Sequence, residues 1–271
     1  MEQKKYSRET PRHAGKPAFR RAQPDPETAE NLLEGRNAVQ EALTAGRPID
    51  KVYIAAGETD RALARLAAMA REAGAAVAET DRRKLDQLSA TGAHQGIIAV
   101  VAAHAYASVD DILENAKRRG EAPLIVICDE LSDPHNLGAI IRTAECAGAH
   151  GVIIPKRRSV GLTAVVGKAS AGALEYLPVA RVSNLVSTIR ELQKVGVWVF
   201  GTAADGDTAL YKADLKGPAA IVIGNEGEGM SRLVSEACDF KVSIPMHGRI
   251  SSLNASNAAA ILLYEAVRQR G

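Results

Sequence analysis

Four continuous apolar runs constrain this chain more than any other feature: Leu124-Ile125-Val126-Ile127, Gly151-Val152-Ile153-Ile154, Val197-Trp198-Val199-Phe200 and Ala219-Ala220-Ile221-Val222-Ile223. A strand that alternates can leave one face in water, but a strand apolar at every position must be covered on both faces. Runs of this kind, with helical patterns between them, point to a parallel sheet clothed by helices on either side. Helical spacing does fall between them, at Asn136 to Ala147, Ala164 to Ser170, Leu185 to Lys194 and Ser231 to Ala237. From about residue 121 to 271, the expectation is one layered α/β domain.

The preceding sequence has a different rhythm. After Gln23-Pro24-Asp25-Pro26, periodic sequence begins at Asn31 and continues to about Ala103. Strands are expected at Lys51 to Ala55 and Gly96 to Val101, and helices at Asp60 to Glu72 and Arg82 to Leu88, which predicts a small α/β domain over residues 30–103. Ser108 to Arg119 should form a helix, capped by Ser108, with acidic residues in its first turn and Lys117, Arg118 and Arg119 in its last. Residues 104–120 would then act as a linker, either a hinge or an outer helix. Residues 1–21 carry Lys4, Lys5, Arg8, Arg12, Lys16, Arg20 and Arg21 against Glu2 and Glu9, so a net +5 sits there, while the whole chain is only +2. A basic arm over residues 1–29, poor in apolar residues, is expected to be disordered and to add non-specific affinity for a polyanion.

Composition narrows the function classes. Aromatic residues make up only 4% of the chain, which disfavours a surface built to stack bases. No apolar run reaches the roughly 18 residues of a membrane span, and charges occupy the place of a signal peptide's apolar region, so the expected setting is cytoplasmic with no membrane partner. Cys128, Cys146 and Cys238 are too far apart for a zinc site and read as buried, reduced thiols; no metal site is expected. The familiar glycine signatures fail on spacing. Gly161 and Gly167-Lys168 stand one residue too far apart for a P-loop, and Gly227-Glu228-Gly229 is followed by Arg232 where a dinucleotide fingerprint needs a small residue. No nucleophile elbow surrounds Ser170, and His-Glu-x-x-His does not occur.

Three segments remain, each at the carboxyl end of an expected strand, the edge where open α/β sheets place ligands. The first runs from Asp129 through Asp133-Pro134-His135-Asn136-Leu137-Gly138 to Arg142. Leu137, Ile140, Ile141 and Ala144 form its apolar stripe, and Arg142 points roughly 140° away, free to face a polyanion. The second is Gly224-Asn225-Glu226-Gly227-Glu228-Gly229, a turn whose glycines let backbone approach a flat ligand closely. The third is Ile244-Pro245-Met246-His247-Gly248-Arg249-Ile250-Ser251-Ser252-Leu253-Asn254, followed by a helix at Ala258 to Arg268. That helix starts apolar on every side, which requires burial in the domain or at a subunit interface.

In this order and at these separations, the three segments resemble the three motifs of the SpoU/TrmH family of RNA ribose 2'-O-methyltransferases. The likeness covers about residues 121–271. The first domain, from Leu33-Glu34-Gly35-Arg36-Asn37-Ala38-Val39 to Ala103, is similar to the small L30e/L7Ae-like substrate-binding domain of the branch that modifies a guanosine of 23S ribosomal RNA. The resemblance implies a SPOUT-type domain whose C-terminal segment threads through a loop to form a deep trefoil knot, an exception to the rule against knots. It implies a homodimer, ribosomal RNA as partner and S-adenosyl-L-methionine as cofactor, held by the segments around Thr202, Gly224, Ile244, Met246 and Leu253. Asn136, Arg142, Glu226, Ser252 and Asn254 match the family's catalytic and substrate-positioning residues. The family's account makes the Arg142 counterpart the base; a guanidinium rarely gives up its proton, so orienting a phosphate and stabilising the developing alkoxide is the role expected here. Two rival readings stand beside this one: a methyltransferase acting on transfer RNA, and a non-catalytic RNA-binding or ribosome-assembly protein, for which Lys156-Arg157-Arg158 and the basic arm speak.

Overall fold

The computed structural model describes residues 31–57 and 60–271, and the basic arm expected over residues 1–29 lies outside them. Two sheets organise the described residues. The first half contains β1 (Leu32–Glu34), α1 (Arg36–Thr44), β2 (Ile49–Ala55), α2 (Arg61–Glu72), β3 (Ala76–Thr80), α3 (Arg82–Leu88) and β4 (Ile97–Val101). Its strand order is β1-β4-β2-β3, with β2 parallel to β3 and β4 antiparallel to both of its neighbours. Leu63, Leu66, Ala67 and Ala70 recur at helical spacing, so α2 turns one apolar stripe onto Val52, Ile54 and Ile97. Asp60 caps this helix by accepting the Ala62 N–H at 2.8 Å.

The second half contains α4 (Val109–Arg119), β5 (Leu124–Cys128), α5 (Pro134–Cys146), β6 (Gly151–Pro155), α6 (Ala164–Ala169), β7 (Val179–Val182), α7 (Leu185–Lys194), β8 (Trp198–Thr202), β9 (Thr208–Ala209), β10 (Ala219–Ile223), α8 (Arg232–Ala237), β11 (Phe240–Ser243) and α9 (Ala255–Arg270). All strand pairs in its seven-stranded sheet are parallel, in the order β7-β6-β5-β10-β8-β11-β9. The two-sided burial expected of the apolar runs is explicit in β5 and β10, whereas Trp198 at the start of β8 is 54% exposed. Leu124, Val126, Ala219 and Ile221 pack on one face with α5 and α9, while Ile125, Ile127, Ala220 and Val222 pack on the other with α4, α7 and α8. No helix among the described residues is long and apolar enough to cross a membrane.

The central pair β5 and β10 is the topological switch. From β5 the chain moves outward to β6 and β7, whereas from β10 it moves the other way to β11. Their carboxyl ends open a crevice, and the first two motif segments leave the sheet there.

Several expectations need correcting. The helix read from Asn136 begins at Pro134, with Asp133 as its cap accepting the His135 N–H, so Asn136 sits buried in the first turn. The last helix begins at Ala255 and runs to Arg270, longer at both ends than Ala258 to Arg268. Of the hinge and the outer helix expected after residue 103, α4 behind its Ser108 cap is the outer helix: Ile112 is buried against the sheet, and a Cβ on Gly151 would lie 2.4 Å from its side chain. Of the three thiols, Cys128 is buried and Cys238 half-buried, each pushed up to about 12 mainly by burial, but Cys146 is exposed near the end of α5.

Within α5, Gly138 is the point of closest approach to α6. A Cβ there would lie 2.4 Å from Ala169 Cβ and 2.9 Å from the Val166 carbonyl oxygen. Overpacking of this kind costs about 1–3 kcal/mol, against a helix-propensity gain of about 1 kcal/mol for alanine. Gly138→Ala is therefore expected to lower the urea midpoint, and an unchanged or raised midpoint would show that the two helices can separate freely.

Candidate active site

At the carboxyl ends of β8, β10 and β11, closed below by the start of α9, lies a cavity of about 460 Å³, within the range of about 300–1,000 Å³ usual for small-molecule sites. Ile223, Val242, Ile244, Leu253, Ala255 and Ala258 supply an apolar wall, and Asp205, Glu226 and Glu228 bring carboxylates to the rim. Such a lining suits a ligand with a flat apolar part and a cationic part. Thr202, Gly224, Ile244, Met246 and Leu253, the five positions expected to hold a cofactor, all line this cavity, as do Glu226 and Ser252.

The turn that forms the roof is built by glycine. Asn225 and Gly229 exchange both backbone hydrogen bonds at 2.9 Å, and Gly229 has φ +72°. A Cβ on Gly224 would lie 2.3 Å from the Gly229 carbonyl carbon and 2.4 Å from the Met230 nitrogen, so no larger residue permits the chain to double back here. Asn225 then ties the turn to the loop after β5, donating through Nδ2 to the Glu130 carbonyl at 3.0 Å while its Oδ1 accepts the Gly227 N–H at 2.8 Å. Buried Asp129 adds a second tie, its carboxylate accepting the Ser231 N–H at 2.7 Å. Neither role was evident in sequence, although a carboxylate directly following a two-sided apolar strand was a signal that could have exposed Asp129.

Beside the cavity, three polar side chains from three segments meet. Asn136 Nδ2 donates to Glu226 Oε1 at 2.6 Å, and Asn254 Nδ2 donates to the same oxygen at 2.5 Å and to Asn136 Oδ1 at 3.0 Å. An ionised carboxylate only accepts and an amide nitrogen only donates, so the polarity of the cluster is fixed. Asn254 also caps α9, its Oδ1 accepting from Ser256 N at 3.0 Å and Asn257 N at 3.4 Å. Thr202 differs, because its hydroxyl proton is committed to the Val222 carbonyl at 2.8 Å.

Arg142 stands apart. It is exposed on α5, makes no hydrogen bond or ion pair with any described residue, and lines no part of the cavity. Six residues beyond Asn136, it lies about 9 Å further along the helix axis and on another face. Its five donors are left for a partner from outside.

Residues 123–264 match the model of the SpoU rRNA Methylase family, and residues 32–107 match that of the RNA 2'-O ribose methyltransferase substrate binding domain. A Bacillus subtilis protein named as a TrmH family tRNA/rRNA methyltransferase, YacO, is 48% identical over 236 residues, covering 87% of this chain and 94% of its own. Among solved structures, the SpoU methyltransferase AviRb of Streptomyces viridochromogenes in complex with AdoMet is similar with a TM-score of 0.56 and 31% identity, covering 88% of this chain and 89% of its own. An AdoMet-bound rRNA methyltransferase of Sinorhizobium meliloti is similar with a TM-score of 0.54 and 27% identity, covering 88% and 86%.

Because Asn254 serves both the cluster and the helix cap, its removal has two effects. Asn254→Ala should cost about 1 kcal/mol through the lost cap, read as a lower urea midpoint, whereas Asn254→Asp should keep the cap but set a second carboxylate against Glu226. Faster amide exchange over residues 251–257 is expected in both variants; wild-type exchange in both would show that the cluster does not order this segment.

Proposed function

The chain belongs to the SpoU methylase family and is an S-adenosylmethionine-dependent RNA methyltransferase, and from that premise we propose that it methylates the 2'-hydroxyl of a guanosine ribose in 23S ribosomal RNA. The observation that carries this reading is the meeting of Asn136, Glu226 and Asn254 at the lip of a cavity with the right lining for the cofactor. The apolar wall of Ile223, Ile244 and Leu253 suits an adenine, and the rim carboxylates suit a sulfonium and an ammonium. Thr202, Gly224, Ile244, Met246 and Leu253 would hold the cofactor, and the deep trefoil knot of the family is part of this reading. The match of residues 32–107 to a substrate-binding model supports a first domain, of the L30e/L7Ae type, that carries the RNA.

When bound, S-adenosylmethionine supplies a methyl group on a positively charged sulfur that leaves readily, with no metal or covalent enzyme intermediate required. The chain's own task is alignment and charge stabilisation. Glu226 Oε1 draws the amides of Asn136 and Asn254 together, and Ser252, exposed on the same lip, would complete a polar ledge for the ribose. Arg142, unengaged and outside the cavity, would hold a phosphate next to the target ribose and stabilise negative charge growing on its oxygen. A guanidinium keeps its proton at physiological pH, so the hydroxyl proton released as the new O–C bond forms passes to solvent and not to Arg142.

A homodimer belongs to the same reading. In the single chain Tyr264 of α9 is 51% exposed and Ile250 is 76% exposed, apolar surface that a second copy would cover. The cytoplasm is the compartment this substrate requires.

The test is incorporation of labelled methyl groups from S-adenosylmethionine into 23S ribosomal RNA and into bulk transfer RNA, with the product nucleotide identified by mass spectrometry. Methylated guanosine ribose in 23S RNA is expected; label confined to transfer RNA, or no label despite cofactor binding, would refute the assignment. Asn136→Ala should cut turnover at least about tenfold while leaving cofactor affinity nearly unchanged. Arg142→Lys should be slow at every pH; a steep alkaline recovery toward the lysine pKa near 10 in single-turnover rates would make residue 142 the base.

A further inference from the structure

A charged cluster used by neither the cavity nor the asparagine ledge lies where the two sheets meet. Asp50 of β2 and Arg181 of β7 have side chains only 6% and 8% exposed and pair at 2.8 Å. The Tyr106 hydroxyl donates to the same Asp50 Oδ1 at 2.6 Å and accepts the Leu162 N–H at 2.9 Å, while the Arg181 guanidinium lies 5.3 Å from the Tyr106 ring centre. Arg181 Nη2 also donates to the main-chain oxygens of Asp50 at 2.8 Å and Lys156 at 3.2 Å. Asp50 Oδ2 and Arg181 Nε have no hydrogen-bond partner among the described residues, and burial raises the Asp50 pKa against the pull of Arg181. A buried pair with polar atoms left over is a poor source of stability.

The geometry of the cluster suggests a different use. It grips the loop between β6 and α6 at both ends, by the Lys156 carbonyl through Arg181 and by the Leu162 N–H through Tyr106. Gly161 packs so tightly that a Cβ would lie 2.0 Å from Asp50 Oδ2. Between these anchors the loop presents Arg157 and Arg158, both exposed. Arg158 has φ +57° and donates to Glu130 at 3.0 Å; Glu130 itself has φ +56° and gives its carbonyl to Asn225 of the cavity roof. Two facing non-glycine residues in the left-handed region persist only where the surroundings over-determine them, a condition met typically at working sites. Arg157 has no partner among the described residues, and Arg158 is 79% exposed despite its bond to Glu130.

We propose that the β6–α6 loop grips the backbone of the substrate RNA, Arg157 and Arg158 taking phosphates beside the target ribose, and that Asp50 is a positioning residue through which the first domain sets that grip. This rests on the reading that the substrate is RNA. It links the two halves of the chain: the domain matched to substrate binding would hold the loop that aligns RNA at the cavity.

The test uses the full chain and a 23S RNA transcript, with affinity followed against salt, cofactor affinity measured separately, and kcat and KM for the RNA compared. Arg157→Ala with Arg158→Ala should weaken RNA binding at least about tenfold and lower the slope of log affinity against log salt by about 1–2, at unchanged cofactor affinity. Asp50→Asn should raise the KM for RNA several-fold with a smaller effect on kcat, and in its background the arginine substitutions should lose most of their effect. Wild-type RNA affinity and salt slope in the arginine variant would overturn the grip, and strictly additive losses would overturn the positioning role of Asp50. Should Asp50→Asn fail to fold, Tyr106→Phe, which removes one hydroxyl, takes its place in the cycle. A reduced salt slope in the arginine variant, with no methyl transfer by the wild type to any RNA, would support the grip while refuting the methylation reading.

Discussion

One carboxylate oxygen, Oε1 of Glu226, accepts the side-chain amides of Asn136 and Asn254 and thereby joins three segments that follow three different parts of the sheet. Without that acceptor, the buried amide of Asn136 would face an unpaired position and the Asn254 segment would lose its hold on the β10 turn. The rest of the site follows from the same closure. Asn225 and Asp129 bind the β10 turn to the β5 loop, Gly224 allows the turn to fold back on itself, and the cavity is the space these joined loops enclose with β8 and β11. The sheet's part is to bring β5 and β10 side by side with their chains leaving in opposite directions, which puts the loops within reach of one another.

The sequence disclosed most readily what burial imposes. Strands covered on both faces have to be apolar throughout, so β5, β6, β8 and β10 could be read with errors of a residue or so at their ends. Strands without that requirement were mostly silent, although Lys51 to Ala55 of β2 could be read. β3 is a half-exposed edge strand, Ala76-Val77-Ala78-Glu79-Thr80, β7 is a four-residue edge, and β11 exposes Phe240 and Lys241, so none carries a two-sided apolar run. The motif residues could be named because the resemblance named them; their partnerships could not. Nothing in the spacing of Asn136, Glu226 and Asn254 says that one oxygen serves two amides, and nothing local distinguishes Asp50, Tyr106 and Arg181, which are 56 and 131 positions from their partners, as a buried cluster. Contacts across such separations depend on topology, which periodicity does not encode.

Arg142 shows the converse case. Its helical phase set it away from the apolar stripe, and in the structure it is exposed and engaged by none of the described residues. In the role proposed for it, a side chain that is to meet an incoming phosphate would lose its use if satisfied internally, and order would come from elsewhere: from the glycine-built turn, the cap of α9 and the tight packing of α5 on α6.

The double service of Asn254 bears on how the molecule comes into being. The residue that caps α9 is the one that completes the polar ledge, so the ledge cannot be finished before residues 254–257 are in place. Those residues are made after both sheets have been synthesised, and domains tend to fold as they emerge. A nascent chain would therefore hold a folded first domain, while the second, one face of whose sheet packs against α9, still lacked both that cover and a finished ledge. Competence for chemistry would be switched on only when the last helix has cleared the ribosome.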